Sequence, residues 1–256
     1  MDNRPIGFFD SGVGGVTTIP HIMRMLPNES IIFFGDTART PYGSKSAKTI
    51  RQFTLQIGEF LKNNDVKMIV IACNTVSSTA LELLRETYPD IPIVGCITPT
   101  AKEVVKICDK DSRIGIMATK ATVKSGVYEE KIKSLNDELF IESIACPALV
   151  PLIEEGIIDN EIMDLTLKYY LDDFIRENDI NTLILGCTHY PLISKNLKRL
   201  YPNIKIFSSS KEVATAVKME LEAADMLSQN ENAKSIFYAS DLSENFVNMI
   251  ERILGR

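Results

Sequence analysis

Three observations on the 256 residues predict an α/β protein made of two similar open α/β domains with mainly parallel sheets. Short apolar runs alternate from end to end with longer amphipathic stretches, and strands that alternate with helices form parallel sheets covered on both faces. One set of motifs occurs twice in the same order. The length suits one large domain or two small ones, at roughly 100–200 residues each.

The strand-like runs are at 6–9, 31–34, 68–72 and 91–94, then at 113–117, 139–143, 182–185 and 204–207, with a last one at 235–238. Apolar residues recur at three and four through 47–62, 78–88 and 122–134, which predicts helices there. The polar stretch 228–234 predicts a surface turn. Within the repeat, Ile71-Ala72-Cys73-Asn74-Thr75 leads to Tyr88-Pro89, and Leu185-Gly186-Cys187-Thr188-His189 leads to Tyr201-Pro202. Ile6-Gly7-Phe8-Phe9-Asp10-Ser11 is echoed by Ile114-Gly115-Ile116-Met117-Ala118-Thr119. The expected division is residues 1–97 plus 208–256 in a first domain carrying Cys73, and 98–207 in a second carrying Cys187. Ligands of open α/β sheets sit beyond the carboxyl ends of the strands. Pseudo-symmetric units packed face to face would therefore put both cysteines on one cleft, where the active site is expected.

Composition narrows the function. Hydrophobic residues make up 45% and charged residues 24%, which is ordinary for a globular chain and excludes disorder. A net charge of −6 without a Lys/Arg block argues against nucleic acid as the main partner. No apolar stretch approaches the roughly 18 residues of a membrane span, and the first residues lack a signal peptide's regions, so a cytoplasmic location is expected. The five cysteines, at 73, 96, 108, 146 and 187, include no CxxC pair, so neither a zinc ribbon nor a thioredoxin-type motif is expected.

Cys73 and Cys187 each close a strand-like run and precede polar residues, at a strand end beside an expected helix N-terminus that would lower a thiol pKa. A free cysteine is as often a small buried hydrophobe. Cys96, Cys108 and Cys146 lack that setting and suit packing roles. His189 stands two residues past Cys187, fit to tune the thiol or donate a proton; a Cys187-x-His189 metal half-site has no complementary pair. His21 suits a structural or exposed position. Asp10-Ser11-Gly12-Val13-Gly14-Gly15 gives a strand-to-helix turn with N–H groups open to an anion, but neither GxGxxG nor GK[ST]. Asp36 and Arg39 suit bracing of the loop that contains Tyr42 and Gly43. Glu154 and Glu155 are either solvated helix-end charges or cleft carboxylates, and spacing does not choose between them.

With these motifs in order, the chain resembles the glutamate racemases of the cofactor-independent Asp/Glu racemase family. The resemblance rests on Gly7-Phe8-Phe9-Asp10-Ser11-Gly12-Val13-Gly14-Gly15, Pro41-Tyr42-Gly43, Ala72-Cys73-Asn74-Thr75 and Ala118-Thr119-Lys120-Ala121-Thr122. It continues in Val150-Pro151-Leu152-Ile153-Glu154 and Gly186-Cys187-Thr188-His189-Tyr190-Pro191. It implies interconversion of L-glutamate and D-glutamate for peptidoglycan synthesis, with Cys73 and Cys187 as acid and base and with Asp10, His189 and Glu154 assisting. It further implies that Asp10, Ser11, Pro41, Tyr42, Gly43, Asn74, Thr75, Thr119, Thr122, Thr188 and His189 hold the substrate, that no cofactor or metal takes part, and that the enzyme is a homodimer. The chain departs from the family pattern at Ile97-Thr98-Pro99 and Ala239-Ser240-Asp241, outside the catalytic motifs. Inversion without a cofactor needs a base on one face of the α-carbon and an acid on the other, which one cysteine per unit would supply. A racemase for aspartate or another amino acid, a non-catalytic amino-acid-binding module and a cysteine hydrolase using Cys187 and His189 are the alternatives.

Overall fold

The computed structural model describes residues 1–255. Strands and helices alternate as the apolar pattern predicts. The first half contains β1 (Ile6–Asp10), α1 (Ile19–Met25), β2 (Ile31–Gly35), α2 (Ala47–Asn63), β3 (Met68–Ile71), α3 (Asn74–Thr79), α4 (Leu81–Thr87), β4 (Ile93–Gly95) and α5 (Ile97–Ile107). The second contains β5 (Arg113–Ala118), α6 (Lys120–Ser125), α7 (Val127–Leu135), β6 (Phe140–Ala145), α8 (Leu149–Glu154), α9 (Glu161–Glu177), β7 (Thr182–Gly186), α10 (Ser194–Leu200) and β8 (Lys205–Ser208). The chain continues through α11 (Ser209–Ala223), β9 (Ser235–Ala239) and α12 (Glu244–Leu254).

Two of the expected helices are interrupted. The stretch 78–88 breaks at Ala80, whose backbone turns out of the helical region (φ −140°, ψ 6°), so α3 begins earlier, directly after Cys73. The stretch 122–134 breaks at Gly126, where the left-handed conformation (φ +66°) ends α6 and suits a residue without Cβ. Ser228 is buried, so the start of the expected surface turn is packed into the protein.

The strands form two all-parallel sheets, in the orders β4-β3-β1-β2-β9 and β6-β5-β7-β8. With β1–β4 matched to β5–β8, the two orders are the same, and β9 is an extra strand on the β2 edge of the first. The repeat in the sequence is therefore a repeat of topology. The register agrees: Phe9 pairs with Ile71 and Ala118 with Gly186. Each ladder, continued past its last pair, sets Ser11 beside Cys73 and Thr119 beside Cys187. In both sheets the chain leaves the first strand toward one side and then crosses to the other. The crevice between those two central strands is the switch point where ligands of open α/β sheets bind.

Alternating residues of the central strands face different layers, as the two-residue period requires. Ile6 and Phe8 join a hydrophobic core that extends to β5, β7, α1, α5 and α11, whereas Phe9 and Ile71 face α2–α4. Beneath the first sheet, the ammonium of Lys67 and the carboxylate of Glu29 form a buried ion pair at 2.6 Å. Lys67 also donates to the carbonyls of Asp2 and Met226, both at 2.7 Å, and Glu29 accepts from the Ser228 amide at 2.8 Å. This cluster fastens the segment that returns to β9. Lys67→Met strands the Glu29 charge in the interior and is expected to cost about 3–5 kcal/mol in urea unfolding; a loss below about 1 kcal/mol contradicts it.

Candidate active site

Both crevices open on one small cavity lined by Ser11, Pro41, Tyr42, Gly43, Cys73, Asn74, Thr75, Thr119, Val150, Cys187, Thr188 and His189. The strand-end motifs of both sheets thus converge. It offers only about 10 Å³ to the centre of a water molecule, room for about one water.

Cys73 follows β3 and caps α3, and its thiol donates to Ser11 Oγ at 3.4 Å. Burial, then the nearby Asp10 carboxylate, push this thiol well up; the Ser11 hydroxyl and the Val76 amide offset only part of that. The expected lowering by a helix N-terminus is therefore overridden, because α3 has only six residues and the thiol is buried. Cys187 follows β7, and its Sγ lies 3.7 Å from His189 Nδ1. A 3-10 turn, Tyr190–Ile193, follows in place of the expected helix start.

The other ring nitrogen of His189, Nε2, meets Glu154 Oε1 at 2.5 Å. Burial works against the imidazolium, but hydrogen bonds to Cys187 and Glu154 outweigh it and hold the His189 pKa well above its usual value. For Glu154 burial favours the acid, and the His189 contact wins and lowers its pKa. Glu154 is thus not a solvated helix-end charge: it pairs with His189 of the cavity wall, one layer behind the lining. Asp10 is fully buried at the end of β1, accepting from the Gly12 amide and from Thr188 Oγ1, both at 3.1 Å. Burial pushes its carboxyl up to about 6, against the pull of His189, the Gly15 and Gly12 amides and Thr188.

Thr75, Thr119 and Thr122 form a ring of hydroxyls, with Oγ1 separations of 2.9, 3.1 and 3.3 Å. Thr75 comes from α3, after a strand of the first sheet, and Thr119 and Thr122 from the start of α6, after a strand of the second. Asp10, Glu154 and Thr122 do not line the cavity; each stands one layer behind a residue that does. Asp36 braces the loop as expected: the Tyr42 hydroxyl donates to it, and Arg39 pairs with it at 2.7 Å. Val150 was missed as a lining residue because an apolar helix position gives no sign that it borders a cavity. Among the described residues, no group of three or more His, Cys, Asp or Glu side chains could hold a metal ion, and no helix is long and apolar enough to cross a membrane.

The family model described as Asp/Glu/Hydantoin racemase matches residues 16–217. The chain belongs to this racemase family. Among its curated relatives are glutamate racemases of Sulfurihydrogenibium sp., 44% identical over 98% of this chain and 94% of that protein, and of Geobacter metallireducens, 41% identical over 100% and 94%. Among solved structures, the racemase fold superposes on glutamate racemase from Francisella tularensis in complex with D-glutamate with a TM-score of 0.93. The two are 37% identical, and the match covers 100% of this chain and 95% of that one.

Proposed function

We propose that this protein is a glutamate racemase that moves the α-proton between two cysteine sulfurs. The observation that carries the reading is the pair of thiols at matching strand ends of two matching sheets, lining one small cavity with separate partners. In one direction the Cys73 thiolate takes the α-proton of D-glutamate while the Cys187 thiol delivers its proton to the opposite face. In the other, Cys187 takes the proton of L-glutamate and Cys73 delivers. Asp10 assists on the Cys73 side. His189, oriented by Glu154, assists on the Cys187 side. The α-proton is a weak acid, so charge developing on the α-carboxylate needs preorganised donors in a water-free site. Ser11, Asn74, Thr75, Thr119 and Thr188 supply neutral donors, and among the described residues no Lys or Arg lines the cavity.

A cavity with room for about one water must widen before glutamate fits, since ligand pockets run to roughly 300–1,000 Å³. The unit of residues 1–97 plus 208–256 and the unit of residues 98–207 would part to admit substrate; the grouping of strands into the two sheets supports this division. Their reopening is then a candidate for the slow step. The same reading places the enzyme in the cytoplasm as a homodimer supplying D-glutamate for the cell wall; sedimentation at working concentration tests the dimer, and a monomer mass overturns it.

Circular dichroism of purified enzyme with L- and then D-glutamate, without added cofactor, tests the function. Decay of the signal from both enantiomers to zero supports it. Turnover of aspartate alone, activity that follows added pyridoxal phosphate, or no exchange of the α-proton with solvent each overturns it. The pH profile tests Asp10. Its carboxylate forms as pH rises through about 6. An acid limb in kcat/KM is expected, with the rate falling about tenfold per pH unit below that value, and Asp10→Asn should abolish the limb while lowering the plateau. For stability the sign is opposite: a raised carboxyl pKa favours the native state most in acid, and that contribution is lost as pH rises through about 6.

A further inference from the structure

Tyr128 lies on α7, 54 positions along the chain from Asn74, and no motif points to it. Its side chain is buried, and its hydroxyl donates to Asn74 Oδ1 at 2.6 Å. Asn74 is itself 2% exposed and lines the cavity, and its Nδ2 is a buried donor without a hydrogen-bond partner. A carboxamide presents an acceptor at one end and two donors at the other. Occupying the acceptor end with a phenol fixes which way the group faces. A buried donor left unpaired costs free energy until something accepts from it. In this cavity the acceptor that fits is a carboxylate oxygen of the substrate.

We propose that Tyr128 is a positioning residue for substrate recognition, holding the Asn74 carboxamide with its N–H donors turned toward a glutamate carboxylate. The inference rests on the glutamate reading above. Burial raises the phenol pKa well above its usual value, so the hydroxyl keeps its proton and remains a donor over the working pH range. Without that hydroxyl the amide is free to turn its oxygen toward the carboxylate, where two acceptors repel. Because Tyr128 belongs to the part of the chain that builds the second sheet and Asn74 follows a strand of the first, the donor is aligned only while the two parts are seated together.

A double-mutant cycle tests this. Tyr128→Phe keeps the ring and removes only the hydroxyl. It is expected to raise KM about tenfold for both enantiomers, with kcat reduced less than about threefold. Asn74→Ala should raise KM more. Adding Tyr128→Phe to Asn74→Ala should change KM less than about twofold, because the group being positioned is gone. Additive losses in the double variant, with wild type active, would overturn the proposal, since they would mean that Tyr128 acts through general packing. Unchanged KM in Tyr128→Phe would do the same. Thermal unfolding of each variant separates site from fold: the expected KM change comes with a Tm close to wild type, and a change confined to Tm contradicts the proposal. A wild-type enzyme inert on glutamate overturns the parent reading and this one with it.

Discussion

Serine in place of either Cys73 or Cys187 is expected to cut glutamate racemisation by about 10²–10⁴-fold in both directions, the range for loss of one acid/base group. Both directions fail together in the proposed mechanism, where every turnover uses both sulfurs, one to take the proton and one to give it. The partial reaction separates them. Cys187→Ser keeps the group assigned to deprotonate D-glutamate, so that enantiomer should still take up deuterium from solvent at its α-carbon without inverting. Cys73→Ser should show the same for L-glutamate. Proton NMR of the α-position in D₂O reads both experiments. Turnover near wild type in either variant removes the two-cysteine mechanism, and the reverse exchange pattern reverses which face each sulfur serves. The surroundings of Cys73 make the demand on it explicit. Burial and Asp10 favour its thiol form, so its thiolate must draw on interactions formed with bound substrate or on passing the thiol proton to the Asp10 carboxylate, the form that the acid limb requires. Serine, a much weaker acid than a thiol, has still less access to the anion.

The parts of the molecule that repeat were legible, and the parts that join the repeats were not. Nine apolar runs became nine strands, and the paired motifs around Cys73 and Cys187 became equivalent strand ends because hydrophobic period and turn chemistry are local properties. The return of the tail to the first sheet followed as β9. The break at Gly126 could be suspected from its residue type, whereas the break at Ala80 left no mark in a residue that favours helix. The contacts that finish the site span long separations: Thr188 to Asp10, Thr75 to Thr119, and Tyr128 to Asn74. Nothing in the sequence marks Tyr128; it is buried like any core residue, and only its neighbour Asn74 gives it a place in the site. Burial defeated the expectation for the Cys73 pKa, because desolvation depends on the finished fold whereas a helix terminus can be read from the chain.

Alanine in place of Gly14 is expected to lower kcat about 10²-fold or more in both directions and to cost about 1–3 kcal/mol of stability. A Cβ on Gly14 would lie 2.6 Å from His189 Nδ1 and 2.6 Å from Thr188 Oγ1. Real Cβ atoms do not approach that closely, so one side must move. His189 is held by Glu154 on one ring nitrogen and faces Cys187 on the other, and Thr188 donates to Asp10. Moving His189 disturbs the support of Cys187, and moving Thr188 disturbs Asp10 on the Cys73 side. This contact also changes the meaning of the glycines after β1. In the sequence they suit a turn with amides open to an anion, yet Gly14 does not have a positive φ. What it needs is the absence of a side chain where the second sheet's His189 docks. The two roles predict different kinetics. An anion cradle keeps its N–H donors when alanine replaces glycine, so the loss would be modest and fall mainly on KM. A docking surface loses the alignment of the proton-transfer groups, so the loss falls on kcat and a lower Tm accompanies it. A Gly14→Ala enzyme with kcat within threefold of wild type would show that the His189 side of the cavity tolerates displacement, and would remove the close contact from the account of catalysis.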